Sequence, residues 1–327
     1  MRILIIRTDR IGDMILTLPM ATAITQARPS DHVMMLARAY TKPVVSLCPD
    51  VDEIFLYDDG ESLSALVKQL RSINADAVLI PSPKFRLVFA AYLANIPIRI
   101  GTAYRWYSLL FNRKIREHRK TAERNEAEYN LRMLSEIAIT AESDILPTLD
   151  KSKLPINSLT GSYIVLHCGT GGSTDAWSAD HWVELGKKLF EQYHYTIVLT
   201  GTANEGEFLF ILAERMKHYG IDVHILSQGD LLQLAAVLSQ AKLVVSAGTG
   251  PGHLASALGA PTVGIFPLRT PISKERWGFR GLNAVSLSPL IPPRPTCPDC
   301  DKCDCTQALS AEQVLEAANN LLRFERL

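Results

Sequence analysis

At 327 residues the chain is too long for one ordinary hydrophobic core, so two domains are expected. Apolar residues make up 47% and charged residues 21%, which is typical of a globular protein and excludes a disordered or fibrous one. Lys plus Arg and Asp plus Glu both number 34, so no overall field attracts nucleic acid, and an anionic partner must be attracted locally. No apolar run approaches the roughly 18 residues that span a bilayer. The first strand is too short and too charged for a signal peptide, so we expect a cytoplasmic protein.

The first half of the chain alternates strand and helix patterns. It opens with a buried strand at 1–6, a polar turn at 7–13 and an apolar-periodic helix at 14–27. Further strands are predicted at 32–37, 53–57 and 76–80, and further helices at 41–48, 62–73 and 85–94. This alternation predicts right-handed βαβ units around a parallel sheet.

Basic and aromatic residues interleave between positions 99 and 120. They are Arg99, Tyr104, Arg105, Trp106, Tyr107, Arg113, Lys114, Arg116, Arg119 and Lys120. This composition suits an anionic glycolipid or a membrane surface, and a solvated charged face is the more common alternative. Nucleic acid is disfavoured because the total charge is balanced and no binding motif is present. The polar segment that follows, 121–136, is predicted to form a longer surface helix.

A second alternating series follows a linker. The linker is predicted at 144–155, where two prolines interrupt any periodicity, so the domains are expected at 1–150 and 151–327. The predicted strands are 163–167, 196–200, 223–226, 243–246 and 262–266. The predicted helices are 179–192, 205–218, 231–239, 252–258 and a closing helix at 310–322 with a capping pattern. This last helix is a candidate to pack back toward the N-terminal domain.

The segment 245–254 (Val-Ser-Ala-Gly-Thr-Gly-Pro-Gly-His-Leu) follows an apolar strand and opens a helix. Its glycines let backbone N–H groups approach a ligand, and the helix N-terminus suits phosphate, although such turns also serve packing. Pro251 fits the first helical turn, where its missing N–H is no loss. The turn at 7–13 is of the same kind, so we expect two nucleotide-fold domains facing each other across a cleft. Ligands are expected beyond the carboxyl ends of the strands.

Four of the six cysteines lie close together, at Cys297, Cys300, Cys303 and Cys305. In a cytoplasmic chain this spacing indicates either metal or redox chemistry or a reduced surface loop. Zinc sites usually separate their ligands into two pairs, which this segment does not do. Cys48 and Cys168 are expected to be small core residues.

Several segments, in order along nearly the whole chain, resemble glycosyltransferase family 9, the bacterial heptosyltransferases of lipopolysaccharide core assembly. They are 7–13 (Arg-Thr-Asp-Arg-Ile-Gly-Asp) with 16–19, 168–177 with Trp182, 201–205 and 249–259. The resemblance implies an α/β fold of the GT-B type, with two Rossmann-like, doubly wound parallel-sheet domains around a central cleft. It places the acceptor on the N-terminal domain and the nucleotide sugar on the C-terminal domain.

The resemblance also implies the reaction: inverting transfer of a heptose, usually ADP-activated, to a lipopolysaccharide-core acceptor. The family uses no catalytic metal, and no cofactor is expected. The implied partners are a nucleotide-diphosphate sugar and an anionic glycolipid, with peripheral contact at the cytoplasmic face of the inner membrane.

Asp13 is the candidate general base, since a carboxylate beside the acceptor hydroxyl takes its proton as the oxygen attacks the anomeric carbon. From the residues alone a helix cap is the simpler reading of this aspartate. The match to the family's catalytic aspartate favours the base, with Asp9 as a weaker competitor. Arg10, Arg105 and Arg113 are the candidates for binding the anionic acceptor.

The predicted nucleotide-sugar site lies in the second domain. Its members are Thr170, Gly171, Ser173, Glu205, Thr249, Gly250 and His253. Thr249 and Gly250 would hold the diphosphate and His253 would add a donor, while Glu205 would accept hydrogen bonds from ribose hydroxyls. The alternative roles are a core residue for His253, an acidic residue of the first helical turn for Glu205, and a loop without a binding role for 170–173.

Two positions depart from the family pattern. Gly248 stands where the motif usually begins with Asp, and Asp175 stands where a Lys or Arg would neutralise phosphate. Arg10, Arg269 and Lys274 are candidates to supply the missing charge, and Asp175 must point away from the diphosphate. These departures leave open a second function, a non-catalytic or divergent nucleotide-sugar-binding protein. A Rossmann dehydrogenase is disfavoured because no Gly-x-Gly-x-x-Gly follows the first strand.

Overall fold

The structure is a computed structural model that describes residues 1–172, 174–290, 292 and 304–324. It divides into two compact units. The first consists of Met1–Arg119 with Glu126–Asp150, and the second consists of Lys120–Asn125 with the chain from Lys151 onward. No helix within the described ranges is both long and apolar enough to cross a membrane.

The first unit is built on a six-stranded parallel sheet with the strand order β3-β2-β1-β4-β5-β6. Its strands are β1 (Arg2–Ile6), β2 (His32–Ala37), β3 (Glu53–Leu56), β4 (Ala77–Leu79), β5 (Ile98–Thr102) and β6 (Arg113–Ile115). Its helices are α1 (Ile11–Ile15), α2 (Pro19–Ala27), α3 (Lys42–Val45), α4 (Leu63–Ile73), α5 (Phe85–Leu93) and α6 (Glu126–Arg132). Short 3-10 helices at Trp106–Leu110 and Met133–Ile137 complete this unit.

The second unit repeats the plan with the strand order β12-β11-β10-β7-β8-β9, again with every pairing parallel. Its strands are β7 (Tyr163–His167), β8 (Thr196–Thr200), β9 (Val223–Leu226), β10 (Leu243–Ala247), β11 (Thr262–Ile265) and β12 (Ala284–Leu287). Its helices are α7 (Ala179–Tyr193), α8 (Gly206–Lys217), α9 (Leu231–Gln240), α10 (Gly250–Ala257), α11 (Lys274–Trp277) and α12 (Ala311–Phe324). Short 3-10 helices lie at Ala203–Glu205, Thr270–Ile272 and Cys305–Ala308.

Burial on both faces explains why the strands read as apolar runs. Every residue of β7 and β10 is buried, because helices cover both sides of a parallel sheet. Side-chain caps then fix where the covering helices begin: Ser62 accepts the Ala65 N–H before α4, and Ser178 accepts the His181 N–H before α7. Both units therefore have the Rossmann-like, doubly wound architecture that the sequence predicts.

Each strand order reverses direction at one point, between β1 and β4 in the first sheet and between β7 and β10 in the second. The loops that leave neighbouring strands there turn to opposite faces of the sheet. This opens a crevice at the carboxyl ends of the strands, where ligands of open α/β sheets bind. The fold thus marks two places for functional groups, one on each unit.

Several predictions about the elements were wrong. The single helix expected at 14–27 is divided into α1 and α2, because Pro19 begins a new helix. The surface helix expected at 121–136 is instead the short α6 with a 3-10 helix, and Tyr129 and Asn130 in it are buried. Sequence patterns also missed β5, β6 and β12, which are short or only partly buried.

The last helix packs within the second unit. Val314 and Ala318 of α12 lie in the same buried cluster as Ile164, Leu185 and Leu243. Tyr193 of α7 donates a hydrogen bond to Asn319 Oδ1 at 2.7 Å. These contacts account for the apolar face of α12.

Candidate functional site

Asp13 lies at the switch point of the first sheet, in the first turn of α1, which follows β1. Arg7 donates to its Oδ1, and the Arg10 N–H donates to its Oδ2 at 3.2 Å. The side chain is 19% exposed, so solvent and ligands reach it. Asp13 is therefore both a helix-capping group, as the simpler interpretation has it, and an accessible carboxylate at the ligand-binding edge.

Asp9, the competing carboxylate, is held by two cations. Its Oδ2 lies 3.1 Å from Arg7 Nε, and its Oδ1 lies 3.4 Å from Lys84 Nζ. Lys84 follows β4 and also donates to Thr8 Oγ1 at 3.2 Å. Asp9 thus makes ion pairs with two cations, from the loops after β1 and β4, and its side chain is 21% exposed, about as much as that of Asp13.

Behind these two carboxylates lies a buried charge network that sequence reasoning missed. Arg7 is 2% exposed, and its Nη1 lies 3.4 Å from Glu126 Oε1. Arg119 contacts the same Glu126 oxygen at 2.5 Å and the Asn130 Oδ1 at 2.9 Å. The i, i+4 spacing of Glu126 and Asn130 on α6 is the signal that both face the same way.

The charges around Arg7 determine its protonation. Burial acts to lower the pKa of this guanidinium, but the negative charges of Asp13, Glu126 and Asp9 outweigh it, and the pKa is raised. Arg7 is therefore a permanent cation in the interior of the first unit.

The three predicted acceptor-binding arginines lie in different places. Arg10 and Arg105 are exposed, and each follows the carboxyl end of a strand, β1 and β5 respectively. Arg113 instead begins β6, and its guanidinium donates to the Glu136 carbonyl, so the structure does not bring it to the same edge. Beside Arg105, Trp106 and Leu109 are 75% and 72% exposed.

In the second unit, the turn after β10 leads into the N-terminus of α10. Thr249 is the N-cap, and its N–H donates to the Ala247 carbonyl at 2.6 Å. Its hydroxyl lies 3.0 Å from Ser246 Oγ, and the Ser246 hydroxyl donates a hydrogen bond to the Ala247 carbonyl. The first-turn N–H groups of Gly250 and Gly252 have no partner within an α-helix, so they are the donors available to a ligand. Gly252 is a residue that the sequence interpretation did not include.

Phenylalanine rings fill the space that side chains at two glycines of this turn would occupy. A Cβ at Gly248 would lie 2.4 Å from the Phe266 ring, and a Cβ at Gly252 would lie 2.1 Å from the Phe279 ring. Phe266 is fully buried. The absence of the usual Asp at position 248 therefore has a local packing reason.

His253 lies one turn into α10 and is buried, with its ring edge-on to Phe279 at 4.9 Å between centroids. Its Nδ1 is buried and has no hydrogen-bond partner among the described residues. Burial lowers the pKa of His253 to about 3, so the imidazole is neutral at physiological pH. It can offer a ligand an N–H group but no charge.

Glu205 joins the loops that follow β7 and β8. Its Oε1 accepts the N–H groups of Thr170 at 2.9 Å and Gly171 at 3.1 Å, and its Oε2 accepts the Thr202 N–H and hydroxyl, both at 2.8 Å. Burial raises the pKa of Glu205, but these hydrogen bonds outweigh it and the pKa is lowered. A Cβ at Gly169 would lie 2.2 Å from the carboxylate, so only glycine allows this approach. Ser173, also predicted to bind the donor, lies outside the described residues.

Asp175 faces a cation. Its Oδ1 lies 3.4 Å from Arg269 Nη2, and the two side chains are 19% and 25% exposed. Burial raises the pKa of Asp175, and the charge of Arg269 opposes this effect. Of the three candidates to supply positive charge, Arg269 is the one that contacts Asp175, while Lys274 belongs to α11 and Arg10 to the first unit.

An open pocket of about 450 Å³ lies next to Glu205, at the carboxyl ends of β8 and β9. Its walls include the apolar side chains of Leu226, Leu231 and Leu234 and the backbone of Gly201 and Gly229. A flat apolar group that carries a few polar edges fits such a lining.

The cysteine cluster falls mostly outside the described residues, which include neither Cys297, Cys300 nor Cys303. Cys305 is buried, and its Sγ accepts the Leu268 N–H at 3.2 Å. Within the described ranges, no group of three or more His, Cys, Asp or Glu side chains is arranged to hold a metal ion.

Comparison with known proteins identifies the family. The sequence model of glycosyltransferase family 9 (heptosyltransferase) matches residues 63–287. The chain belongs to this family. Lipopolysaccharide heptosyltransferase 1 of Escherichia coli K12 is 25% identical over 287 residues, which cover 81% of this chain and 88% of that protein.

Solved structures of family 9 proteins share the fold. A glycosyl transferase of Veillonella parvula has a TM-score of 0.82 at 21% identity and covers 99% of this chain and 97% of its own. An E. coli heptosyltransferase solved with ADP has a TM-score of 0.77 at 23% identity, with 98% and 100% coverage. The expected GT-B fold class with two Rossmann-like parallel sheets is confirmed, and this family 9 protein is a glycosyltransferase.

The Gly248–Phe266 contact yields a stability prediction. Gly248→Asp should lower the free energy of unfolding by about 1–3 kcal/mol, because the buried ring must move. Adding Phe266→Leu should recover part of this loss relative to the sum of the single substitutions. Gly206→Ala is the control, since a Cβ at Gly206 meets nothing within 4 Å. Urea denaturation measures all four variants, and an unchanged stability of Gly248→Asp contradicts the packing explanation.

The buried histidines yield a pH prediction. Burial lowers the pKa of His253 to about 3 and that of His167 to about 4, while 6.5 is the value for an exposed histidine. Between these values and 6.5 the unfolded chain binds more protons than the folded one, so stability falls as pH falls through that window. His253→Gln should reduce the slope by about 1.4 kcal/mol per pH unit between pH 6 and 4. The matched control is His218→Gln, an exposed histidine of α8's C-cap; parallel curves for His253→Gln and the unaltered protein would refute the prediction.

Proposed function

We propose that this family 9 protein transfers heptose from ADP-heptose to a hydroxyl group of a lipopolysaccharide-core acceptor, with inversion at the anomeric carbon. The observation that carries the proposal is the position of Asp13, an accessible carboxylate at the switch point of the first sheet. We assign the acceptor to the first unit and the nucleotide sugar to the second.

The donor diphosphate binds at the N-terminus of α10. The N–H groups of Gly250 and Gly252 and the positive end of the helix meet the phosphate oxygens, and His253 adds a neutral donor. In the loop that follows β7, the N–H groups of Thr170 and Gly171 already donate to Glu205, so α10 supplies the main-chain donors to the phosphate. Charge that accumulates on the leaving ADP is stabilised at this edge, which lowers the barrier to bond cleavage.

The nucleoside occupies the pocket at the ends of β8 and β9, with the base against the leucine side chains. Ribose hydroxyls bind the Glu205 carboxylate at its rim. The two carboxylate oxygens of Glu205 have two lone pairs each and already accept four hydrogen bonds. A ribose hydroxyl must therefore replace one of the four present donors. The exposed Thr202 hydroxyl is the donor that exchanges most easily.

Named relatives support this choice of donor and acceptor. The E. coli heptosyltransferase with the shared fold was solved with ADP and with ADP-2-deoxy-2-fluoro heptose. The E. coli relative in sequence is a lipopolysaccharide heptosyltransferase. A purely nucleotide-sugar-binding function receives no comparable support, since Phe266 and Arg269 give local reasons for the two departures that suggested it.

The chemical step uses Asp13 as general base. Its carboxylate takes the proton of the acceptor hydroxyl while that oxygen forms a bond to the anomeric carbon. The bond from this carbon to the β-phosphate oxygen breaks on the opposite side, and ADP leaves with the electron pair. Arg7 and the Arg10 N–H each occupy one lone pair of Asp13, so each oxygen keeps a second one for the proton.

The proposed acceptor-binding surface of the first unit combines basic and apolar side chains. Arg10 and Arg105 attract anionic groups of the glycolipid, and the exposed Trp106 and Leu109 enter the membrane interface beside it. Trp106 packs on Phe85 with the ring centroids 4.8 Å apart and the ring planes tilted by 30°, which holds the indole at the surface. We propose peripheral attachment to the cytoplasmic face of the inner membrane on this basis.

Substitution of Asp13 tests the reaction. Asp13→Asn should lower kcat for ADP release from ADP-heptose in the presence of core acceptor by about 10²–10⁴-fold. ADP affinity, measured by calorimetry, should stay within twofold because the nucleotide binds the second unit. Asp59→Asn, which removes another arginine-paired carboxylate of the first unit, is the matched control.

Two outcomes would overturn parts of this assignment. Full turnover by Asp13→Asn together with loss of turnover in Asp9→Asn would transfer the base role to Asp9. No turnover by the unaltered protein with ADP-, UDP- or GDP-activated heptose would refute the proposed reaction as a whole.

The apolar surface yields a separate prediction for membrane binding. Replacing both Trp106 and Leu109 with Ala should weaken binding to phosphatidylglycerol-containing vesicles by about tenfold or more, because both side chains leave water on binding. Vesicle co-sedimentation measures it, with Ile156→Ala, a 98% exposed isoleucine, as the control. Equal binding of the double variant and the control would show that this surface does not contact lipid.

A further inference from the structure

The guanidinium of Arg7 lies among three carboxylates and donates hydrogen bonds to two of them, Glu126 and Asp13. Its Nε faces Asp9 Oδ2 at 3.1 Å, its Nη1 faces Glu126 Oε1 at 3.4 Å, and its Nη2 donates to Asp13 Oδ1. Glu126 is in turn held by Arg119 at 2.5 Å. With a side chain only 2% exposed, Arg7 has one orientation and no access to a substrate.

Asp13, by contrast, has little else to define its orientation. It lies on a helix of five residues, next to Gly12, and its side chain is partly exposed. Its Oδ2 receives one backbone N–H from Arg10 at 3.2 Å, which is a long hydrogen bond. The contact of Arg7 with Oδ1 is therefore the main restraint on the plane of this carboxylate.

We propose that Arg7 is a positioning residue for the transfer reaction, and that it holds the Asp13 carboxylate in the orientation that accepts the acceptor's proton. The inference rests on the proposed function, because it takes Asp13 as the base. A planar guanidinium suits this task, since its N–H groups leave in fixed directions and donate to Asp13 and Glu126 at once, while its charge also faces Asp9. A lysine at position 7 keeps the charge but cannot direct three separate contacts.

Arg7→Met and Arg7→Lys test the inference through the division of the effect between kcat and KM. Arg7→Met should lower kcat about 30-fold or more, because a displaced catalytic group loses much of its effect within an ångström. Arg7→Lys should lower kcat by only about three- to tenfold. For both, KM for ADP-heptose and the ADP dissociation constant should stay within twofold, as the donor binds the other unit.

Arg2 provides the matched control. It begins β1, the strand that Arg7 directly follows, and its Nη2 donates to the Ile73 carbonyl at 3.1 Å and contacts Glu53 Oε1 at 3.4 Å. Arg2→Met and Arg2→Lys should change stability without changing kcat. If Arg7→Met does not fold, Arg7→Lys carries the test, because it retains the buried positive charge.

The outcomes separate this inference from the proposed function. If Asp13→Asn loses turnover while Arg7→Lys and any folded Arg7→Met keep the kcat of the unaltered protein, the positioning role is wrong and the base assignment stands. An equal rise in KM and loss of ADP affinity in the Arg7 variants would likewise mark a purely structural effect. Full turnover by Asp13→Asn would instead refute the proposed base, independently of any Arg7 variant.

Discussion

Burial of both faces of each parallel sheet constrains where this protein can place polar groups. Strands such as β1 and β10 are apolar along nearly their whole length, so charged and hydrogen-bonding side chains emerge only where the strands end. In a parallel sheet all carboxyl ends lie at one edge, and the reversal of strand order opens a crevice there. Asp13 follows β1 and Thr249 follows β10, so both lie at such reversals.

The carboxyl edges of the two sheets are built from different polar groups. In the first unit, side-chain charges are connected around the buried guanidinium of Arg7. Three cations face three carboxylates in this network: Arg7, Lys84 and Arg119 with Asp9, Asp13 and Glu126. Attraction between the opposite charges offsets the desolvation of the buried Arg7 and Glu126, while the carboxylates of Asp9 and Asp13 stay about one-fifth exposed. In the second unit, backbone N–H groups and glycines form the edge, and phenylalanine rings pack beneath them.

The periodicity of the sequence predicted most strands, the alternating α/β pattern of each half and the residues nearest each strand end, because these depend on local patterns. It could not predict the network around Arg7, since Glu126 is 119 residues away and its contact depends on the packing of α6. It took 121–136 for a surface helix because its residues are polar, although Asn130 is buried and donates to the Leu16 carbonyl at 2.9 Å. Arg269 was one of three candidate cations, but no local pattern distinguished it from the other two, because it lies 94 residues from Asp175 in the sequence.

Gly248 and Asp175, the two departures from the family pattern, are both explained by local contacts at the carboxyl edge of the second sheet. At position 248 the Phe266 ring occupies the space of a side chain, and at position 175 a carboxylate is opposed by Arg269 rather than left to face a ligand. Glu205 adds a second negative group, but its four donors come from the loops themselves. The acidic side chains of this edge therefore hold loops in place, while the N-terminus of α10 remains the electropositive feature. In the proposed function, phosphate recognition in this unit depends on the geometry of main-chain amides, which the glycines and the packed rings define.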